Sequence, residues 1–209
     1  MKILRMIENN VNERYVDEIV SALNNGGIVV LPTDSLYALV CDAMNNQAIE
    51  RICKIKMMKS AKTNLSIVCS DISMASKYGK IDNGLYKLIR HNLPGSFTFL
   101  IEATSKLPKA FKGRRVVGVR IVDNEIIKRV VEEIGHPLFS TSVEGVDEDY
   151  VCEPELIAQT YGRDVSMWWM RVGVAMCRRR WLIALAMSPR WCGKGCRNLN
   201  YESLKLYNL

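Results

Sequence analysis

Asn24-Asn25-Gly26-Gly27-Ile28-Val29-Val30-Leu31-Pro32-Thr33-Asp34-Ser35 is the stretch that decides the fold. Just upstream, Val16, Ile19, Val20 and Leu23 recur at i, i+3, i+4 and i+7, one apolar face of a helix. The Asn-Asn-Gly-Gly run supplies the stop signal, because glycine enters the left-handed conformation that closes a helix without steric cost. Ile28 to Leu31 is a continuous apolar run, the pattern of a strand buried on both faces. Pro32 lacks the donor that a ladder needs and ends it. Helix, glycine, buried strand and polar loop together form the repeating unit of an α/β protein.

The flanking sequence repeats the alternation. Asn45 or Asn46 caps a helix whose inner face carries Ala48, Ile49, Ile52 and Ile55. Leu65 to Cys69 reads as a strand. Leu85, Leu88 and Ile89 belong to a helix ending near Leu93-Pro94-Gly95. Phe97 to Ile101 and Val116 to Ile121 read as strands, Ile126 to Ile134 as a helix closed by Gly135, and Leu138 to Ser142 as a strand entering a loop. Beyond it Glu144, Asp147, Glu148, Asp149, Glu153 and Glu155 form an acidic, solvated region. The expected fold class is α/β, a twisted open mixed sheet with flanking helices.

The chain has 209 residues, enough for one core, and a mean hydropathy near zero. No apolar run approaches the ~18–20 residues of a membrane span. Met1-Lys2-Ile3-Leu4-Arg5 has no signal-peptide pattern, and seven irregularly spaced cysteines fit a reducing compartment. A cytoplasmic protein with no membrane partner is expected.

The net charge of +7 suggests a nucleic-acid partner until its distribution is read. Residues 1–165 hold 21 basic and 21 acidic side chains. Residues 166–209 hold eight basic residues, one acid (Glu202), and all four tryptophans, Trp168, Trp169, Trp181 and Trp191. Taken at face value, Arg178-Arg179-Arg180 and these indoles suit phosphate and base stacking. Cys192 and Cys196 make one C-x3-C pair with no second pair or histidine nearby to complete a metal site. The genetic code offers another account. Methionine and tryptophan have one codon each, so a frame that starts on the last base of each codon must read Val-Val-Asp across Met167-Trp168-Trp169-Met170. With permissible codons that frame continues as a Gly-rich turn, a strand, an acidic turn and a second strand. The expected organisation is a domain over 1–165 and an aberrant, frameshifted tail over 166–209.

Several strands end in polar residues, where open α/β sheets bind ligands: Thr33-Asp34-Ser35, Arg120, and Ser140-Thr141-Ser142. Lys56 falls four after Ile52, on the inner stripe of its helix, and needs an anion or a route to water. There is no G-x-S-x-G, no P-loop and no G-x-G-x-x-G, and the two histidines, His91 and His136, form no catalytic pattern. Cys41, Cys53 and Cys69 sit in apolar surroundings and read as core.

Four segments in order resemble the YrdC/YciO family, whose characterised members are threonylcarbamoyl-AMP synthases. Pro32-Thr33-Asp34-Ser35-Leu36-Tyr37-Ala38-Leu39 is similar to its P-T-D/E-S/T-x-Y-G-L signature, with Ala38 in place of glycine. Pro94-Gly95-Ser96-Phe97-Thr98 is similar to P-G-P-x-T, Gly118-Val119-Arg120-Ile121 to V-x-R-I/V-P without the proline, and Ser140-Thr141-Ser142 to the start of S-T-S-A-N. The family's K-x-R stands here as Lys56-Met57-Met58 and its S-x-N as Ser142-Val143-Glu144, departures that look like the YciO branch. The family's late V-I-D-G-G and S-T-V-V-D stretch is absent from the given tail and resembles the shifted frame.

The resemblance implies a nucleotide-binding protein that joins ATP, with Mg2+, to L-threonine and bicarbonate and supplies tRNA threonylcarbamoyladenosine modification. It implies Thr33 and Arg120 at threonine, Tyr37 and Ser140 in the substrate pocket, Lys56 on phosphate charge and Ser142 on the nucleotide, with Lys56 and Arg120 as the catalytic residues and no metal ligand among the side chains. The lost arginine at Met58 and lost asparagine at Glu144 imply weak or altered activity. Two rivals stand beside it: a non-catalytic binder of nucleotide, double-stranded RNA or tRNA, and an inactive frameshifted product.

Overall fold

The structure is a computed structural model and describes residues 2–6, 11–34, 37–57, 65–143, 159–162, 164–171, 180–183 and 190–191. Strands are β1 (Lys2–Met6), β2 (Val29–Pro32), β3 (Tyr37–Asp42), β4 (Ser66–Val68), β5 (Phe97–Glu102), β6 (Val116–Arg120), β7 (Leu138–Ser142), β8 (Met167–Arg171), β9 (Arg180–Ile183) and β10 (Arg190–Trp191). Helices are α1 (Glu13–Asn24), α2 (Asn46–Ile55), α3 (Ile72–Tyr78), α4 (Asn83–Asn92) and α5 (Glu125–Ile134), with a 3-10 turn at Lys109–Phe111.

The strands form one sheet in the order β1-β8-β2-β3-β7-β4-β6-β5-β9-β10. Six of them, β2 to β5 in that order, make a mixed central sheet: β4 runs parallel to β6, while β2–β3, β3–β7, β4–β7 and β5–β6 are antiparallel. The expected twisted mixed sheet with flanking helices is therefore the fold. Helices cover both faces. On one, Val16, Ile19 and Leu23 of α1 and Ile126, Ile127, Val130 and Val131 of α5 bury Val29, Leu31, Ala38, Val40 and Val68. On the other, Ala48, Ile49 and Ile52 of α2 and Leu85, Leu88 and Ile89 of α4 bury Val30, Leu39, Ile67, Phe99, Val119 and Phe139. Successive strand residues alternate between these two cores, as the pleat requires.

Caps explain the boundaries. Asn12, Asn45, Asp71, Asp82 and Asn124 each accept a hydrogen bond from a first-turn amide of α1 to α5 in turn. Gly26 (φ 74°) follows α1, and Gly135 (φ 78°) ends α5 in the left-handed conformation. Besides β1, the 3-10 turn and the strands of 166–209, two elements within the body lie outside the sequence expectation. Tyr37–Asp42 is a strand hidden behind the family signature, and Ile72–Tyr78 is a short helix whose apolar residues are too few for a clear period. Cys41 and Cys69 are buried as expected, whereas Cys53 is only half-buried on α2. Among the described residues no helix is long and apolar enough to cross a membrane.

Three segments of 166–209 pair with the sheet through their backbones. Met167–Arg171 runs parallel to both β1 and β2, Arg180–Ile183 runs parallel to β5, and Arg190–Trp191 pairs with β9. Trp168, Trp169, Trp181 and Trp191 are therefore strand residues. Arg178, Arg179, Cys192, Cys196 and the acidic run from Glu144 to Glu155 lie outside the described residues.

Candidate functional site

Register pairing locates a polar floor on the α1/α5 face of the sheet. Ser66 stands opposite Ser140 on one side and Gly118 on the other, so the three share one row and one face. Arg120 stands opposite Val68, and Ser142 opposite Ala38, both members of the core under α1 and α5. Thr98 lies between Phe97 and Phe99, which face the other core, so it also points to this side. The β2–β3 half of this face is apolar and covered. The β4–β6–β5 half carries Ser66, Thr98, Gly118 and Arg120.

Gly118 keeps the floor tight. A Cβ there would meet Ser66 Cβ at 2.9 Å and Thr98 Cγ2 at 3.0 Å. Ser66 Oγ donates to the Ser140 carbonyl at 2.6 Å and locks β4 to β7 in this row.

Arg120 is the largest side chain on the floor and is fully buried. Its Nη2 donates to Asp34 Oδ1 at 2.9 Å, across 86 positions of sequence. Asp34 also accepts the Asp123 amide on Oδ2 at 3.2 Å, and its carbonyl accepts from Ser96 Oγ at 3.0 Å. The Gly95 amide donates to the Ile121 carbonyl at 3.0 Å. The Thr33-Asp34, Gly95-Ser96 and Arg120-Ile121 segments, which the sequence shows as separate motifs, thus meet around Asp34, Arg120 on its carboxylate and Ser96 on its carbonyl. The Thr33-Asp34-Ser35 strand end is among the expected ligand positions, but no role of its own is expected of Asp34, whose signal is its place beside Thr33 in the signature.

Burial pushes the Arg120 guanidinium below its ordinary value, and the Asp34 charge pulls it back up. An arginine stays charged even so. Among the described residues its Nε and Nη1 have no hydrogen-bond partner, and neither do Thr98 Oγ1 and Ser140 Oγ. Buried donors and hydroxyls left unmatched are costly, about 1–3 kcal/mol each and more on a charged group. A polar ligand could complete such a set on one face of the sheet.

The remaining expected residues divide between the two faces. Thr33 is buried directly before Asp34, and Ser142 is half-buried at the end of β7. Tyr37 is buried in the opposite core, with α2 and α4. Lys56 is half-buried as the C-cap of α2, its amide bonded to the Ile52 carbonyl at 2.9 Å, rather than within the helix's apolar stripe. The residue after it, Met57, adopts φ 47° and is 90% exposed. Met58 and Glu144 lie outside the described residues.

Comparison with known proteins agrees with this architecture. Escherichia coli YciO is 32% identical over 162 residues, 76% of this chain and 78% of that protein. A threonylcarbamoyl-AMP synthase of Vibrio vulnificus is 27% identical over 156 residues, 73% of this chain and 83% of that one. The crystal structure of E. coli YciO superposes with a TM-score of 0.87, covering 96% of this chain and 98% of the other at 26% identity. P. abyssi Sua5 complexed with L-threonine superposes with a TM-score of 0.86 at 19% identity, over 99% of this chain and 61% of that one, a likeness of fold. The Sua5/YciO/YrdC family model, described as telomere recombination, matches residues 21–171. With its motifs meeting at one buried arginine and a match over most of its length, the chain belongs to the Sua5/YciO/YrdC family.

Proposed function

We propose that the protein binds L-threonine and ATP and carries a weak or altered L-threonylcarbamoyladenylate synthase activity. The observation that carries this reading is the fully buried Arg120 guanidinium with Nε and Nη1 unmatched. A carboxylate is the natural acceptor for such a fork of donors. The L-threonine complex of P. abyssi Sua5 supports the choice of ligand.

In this reading bicarbonate and the threonine amine give a carbamate and water. The carbamate oxygen then attacks the α-phosphorus of ATP, and the bond to pyrophosphate breaks. Arg120 holds the threonine carboxylate, with Thr33, Ser140 and Ser142 lining the pocket. Lys56 offsets phosphate charge, assisted by the Mg2+ that accompanies ATP. The protein's contribution is positioning and charge stabilisation. A methionine at position 58 cannot supply the planar donors of an arginine, which is why the rate is set low. The test is pyrophosphate release that requires ATP, L-threonine and bicarbonate together. Release independent of threonine, or none at all with the in-frame C-terminus, overturns the reading.

A second reading rests on a different observation. Lys106, Lys109, Lys112 and Arg115 are all exposed around the 3-10 turn, which suits the backbone of double-stranded RNA or tRNA. Binding that weakens steeply with salt and is unaffected by Arg120→Ala would favour this non-catalytic role.

A further inference from the structure

We propose that Asp34 makes the Arg120 site selective for an α-amino-acid zwitterion over a simple carboxylate, by accepting the ligand's α-ammonium group. The inference deepens the threonine reading and rests on it. It follows from counting charge. Arg120 and Asp34 are 0% and 6% exposed as side chains, 2.9 Å apart, and together neutral. The unmatched Nε and Nη1 call for an anion. A bare carboxylate would satisfy them and leave one uncompensated negative charge out of water, which is costly. Thr98 Oγ1 and Ser140 Oγ are also unmatched, but a hydroxyl supplies no charge. A ligand with a positive group on the carbon that bears its carboxylate restores neutrality.

Asp34 has the capacity for that group. A carboxylate offers about four acceptor positions. Among the described residues one is taken by Arg120 Nη2 on Oδ1 and one by the Asp123 amide on Oδ2. The Ser96 hydroxyl, bonded to the Asp34 carbonyl, and the Asp123 amide fix the orientation of the residue. Because Asp34 and the free nitrogens meet at one guanidinium, a carboxylate seated on Arg120 carries its α-substituent alongside Asp34. Asp34 is thus a specificity determinant, distinct from the groups that hold phosphate.

Titration calorimetry on the full chain tests this with two probes, L-threonine and the 2,3-dihydroxybutyrate that replaces the ammonium by a hydroxyl. Wild type is expected to prefer threonine by about tenfold or more, the worth of one hydrogen bond to a charged group. Asp34→Asn is expected to bring the two within about twofold, mainly by weakening threonine. Asp34→Glu keeps the charge beside Arg120 and covers the case in which Asp34→Asn does not fold. It moves the acceptor by one methylene and should narrow the same ratio. If either folded variant keeps the wild-type ratio, the inference is overturned while the threonine reading stands. If another L-amino acid binds, threonine does not, and the ratio collapses in the variants, the inference stands and the threonine reading falls. Binding of no amino acid overturns both.

Discussion

Asp34 and Arg120 form a buried ion pair, Oδ1 to Nη2 at 2.9 Å, that ties the loop after β2 to the end of β6. Between those strands in the sheet stand β3, β7 and β4, so the loop crosses over the sheet to reach its partner. The pair is a structural clamp and the charged centre of the candidate site at once. Removing one partner from such a pair leaves a charge in a low-dielectric interior, at a cost of about 3–5 kcal/mol, whereas replacing both with apolar residues is often near neutral. Asp34→Ala should therefore lower the urea midpoint sharply, and Asp34→Ala with Arg120→Met should recover most of the loss. A double variant no more stable than the single one would deny the clamp.

Gly118 is the second mechanical feature of the site. Alanine there must displace Ser66 or Thr98, and Ser66 is held by its bond to the Ser140 carbonyl. Gly118→Ala should destabilise by about 1–3 kcal/mol, the range for overpacking. Adding Thr98→Ser removes the Cγ2 that the new methyl would meet and should return part of that loss. Denaturant unfolding of the two variants gives the comparison, and equal stability of Gly118→Ala and wild type would contradict the close contact.

Most of the fold was legible because burial writes itself into the period of the sequence. α1, α2, α4 and α5 carry clear helical stripes, and Val29 to Leu31, Phe97 to Ile101 and Val116 to Ile121 carry strand runs. β3 was not, because all but one of its residues are buried and its start lies in a run of signature residues. The site was half legible. Arg120 announced itself as a charge ending an apolar strand. Asp34 did not, because what distinguishes it is a partner 86 positions away, and no local pattern reports a contact of that range. Nor did local pattern separate Tyr37, which faces the α2/α4 core, from the residues of the opposite face.

Thiol chemistry offers a check on the two cores. Burial pushes the Cys41 and Cys69 thiols well above their ordinary value, with the neighbouring Asp42 and Asp71 charges adding to it, because desolvation disfavours the thiolate. At pH 8 neither should alkylate in the native protein, and both should after denaturation. Cys53, half-buried and raised by burial, should react slowly under native conditions. Peptide mapping after iodoacetamide treatment reads the three sites separately. Rapid native labelling of Cys69 would contradict the packing of β4.

Restoring the residues that the relatives' motifs carry should raise the proposed activity. Met58→Arg returns the planar donor of the K-x-R motif two residues after Lys56, and Glu144→Asn returns the amide of the S-x-N motif two residues after Ser142. A preorganised donor is worth about 10²–10³ in rate. The double variant should release pyrophosphate at least about tenfold faster than the parent chain, with threonine affinity little changed. An unchanged rate would mean that these two positions are not what limits the chemistry.

The last strands carry a prediction about the gene. Met167–Arg171 occupies an interior position, parallel to β1 on one side and β2 on the other, with Met167 opposite Val29 and Trp168 opposite Val30. Parallel strands in such positions are ordinarily runs of Val, Ile and Leu, and this one reads Met-Trp-Trp-Met-Arg. The single codons of methionine and tryptophan force Val-Val-Asp in the frame that starts on the last base, so the shifted frame places β-branched residues where the sheet needs them. Resequencing independent clones should reveal a base gained or lost close to the codon for Ser166. The protein made from the corrected frame should unfold at a higher temperature than the chain described. An unbroken frame through this region in every clone would refute the shift, and the basic, tryptophan-bearing strands would then be the protein's own.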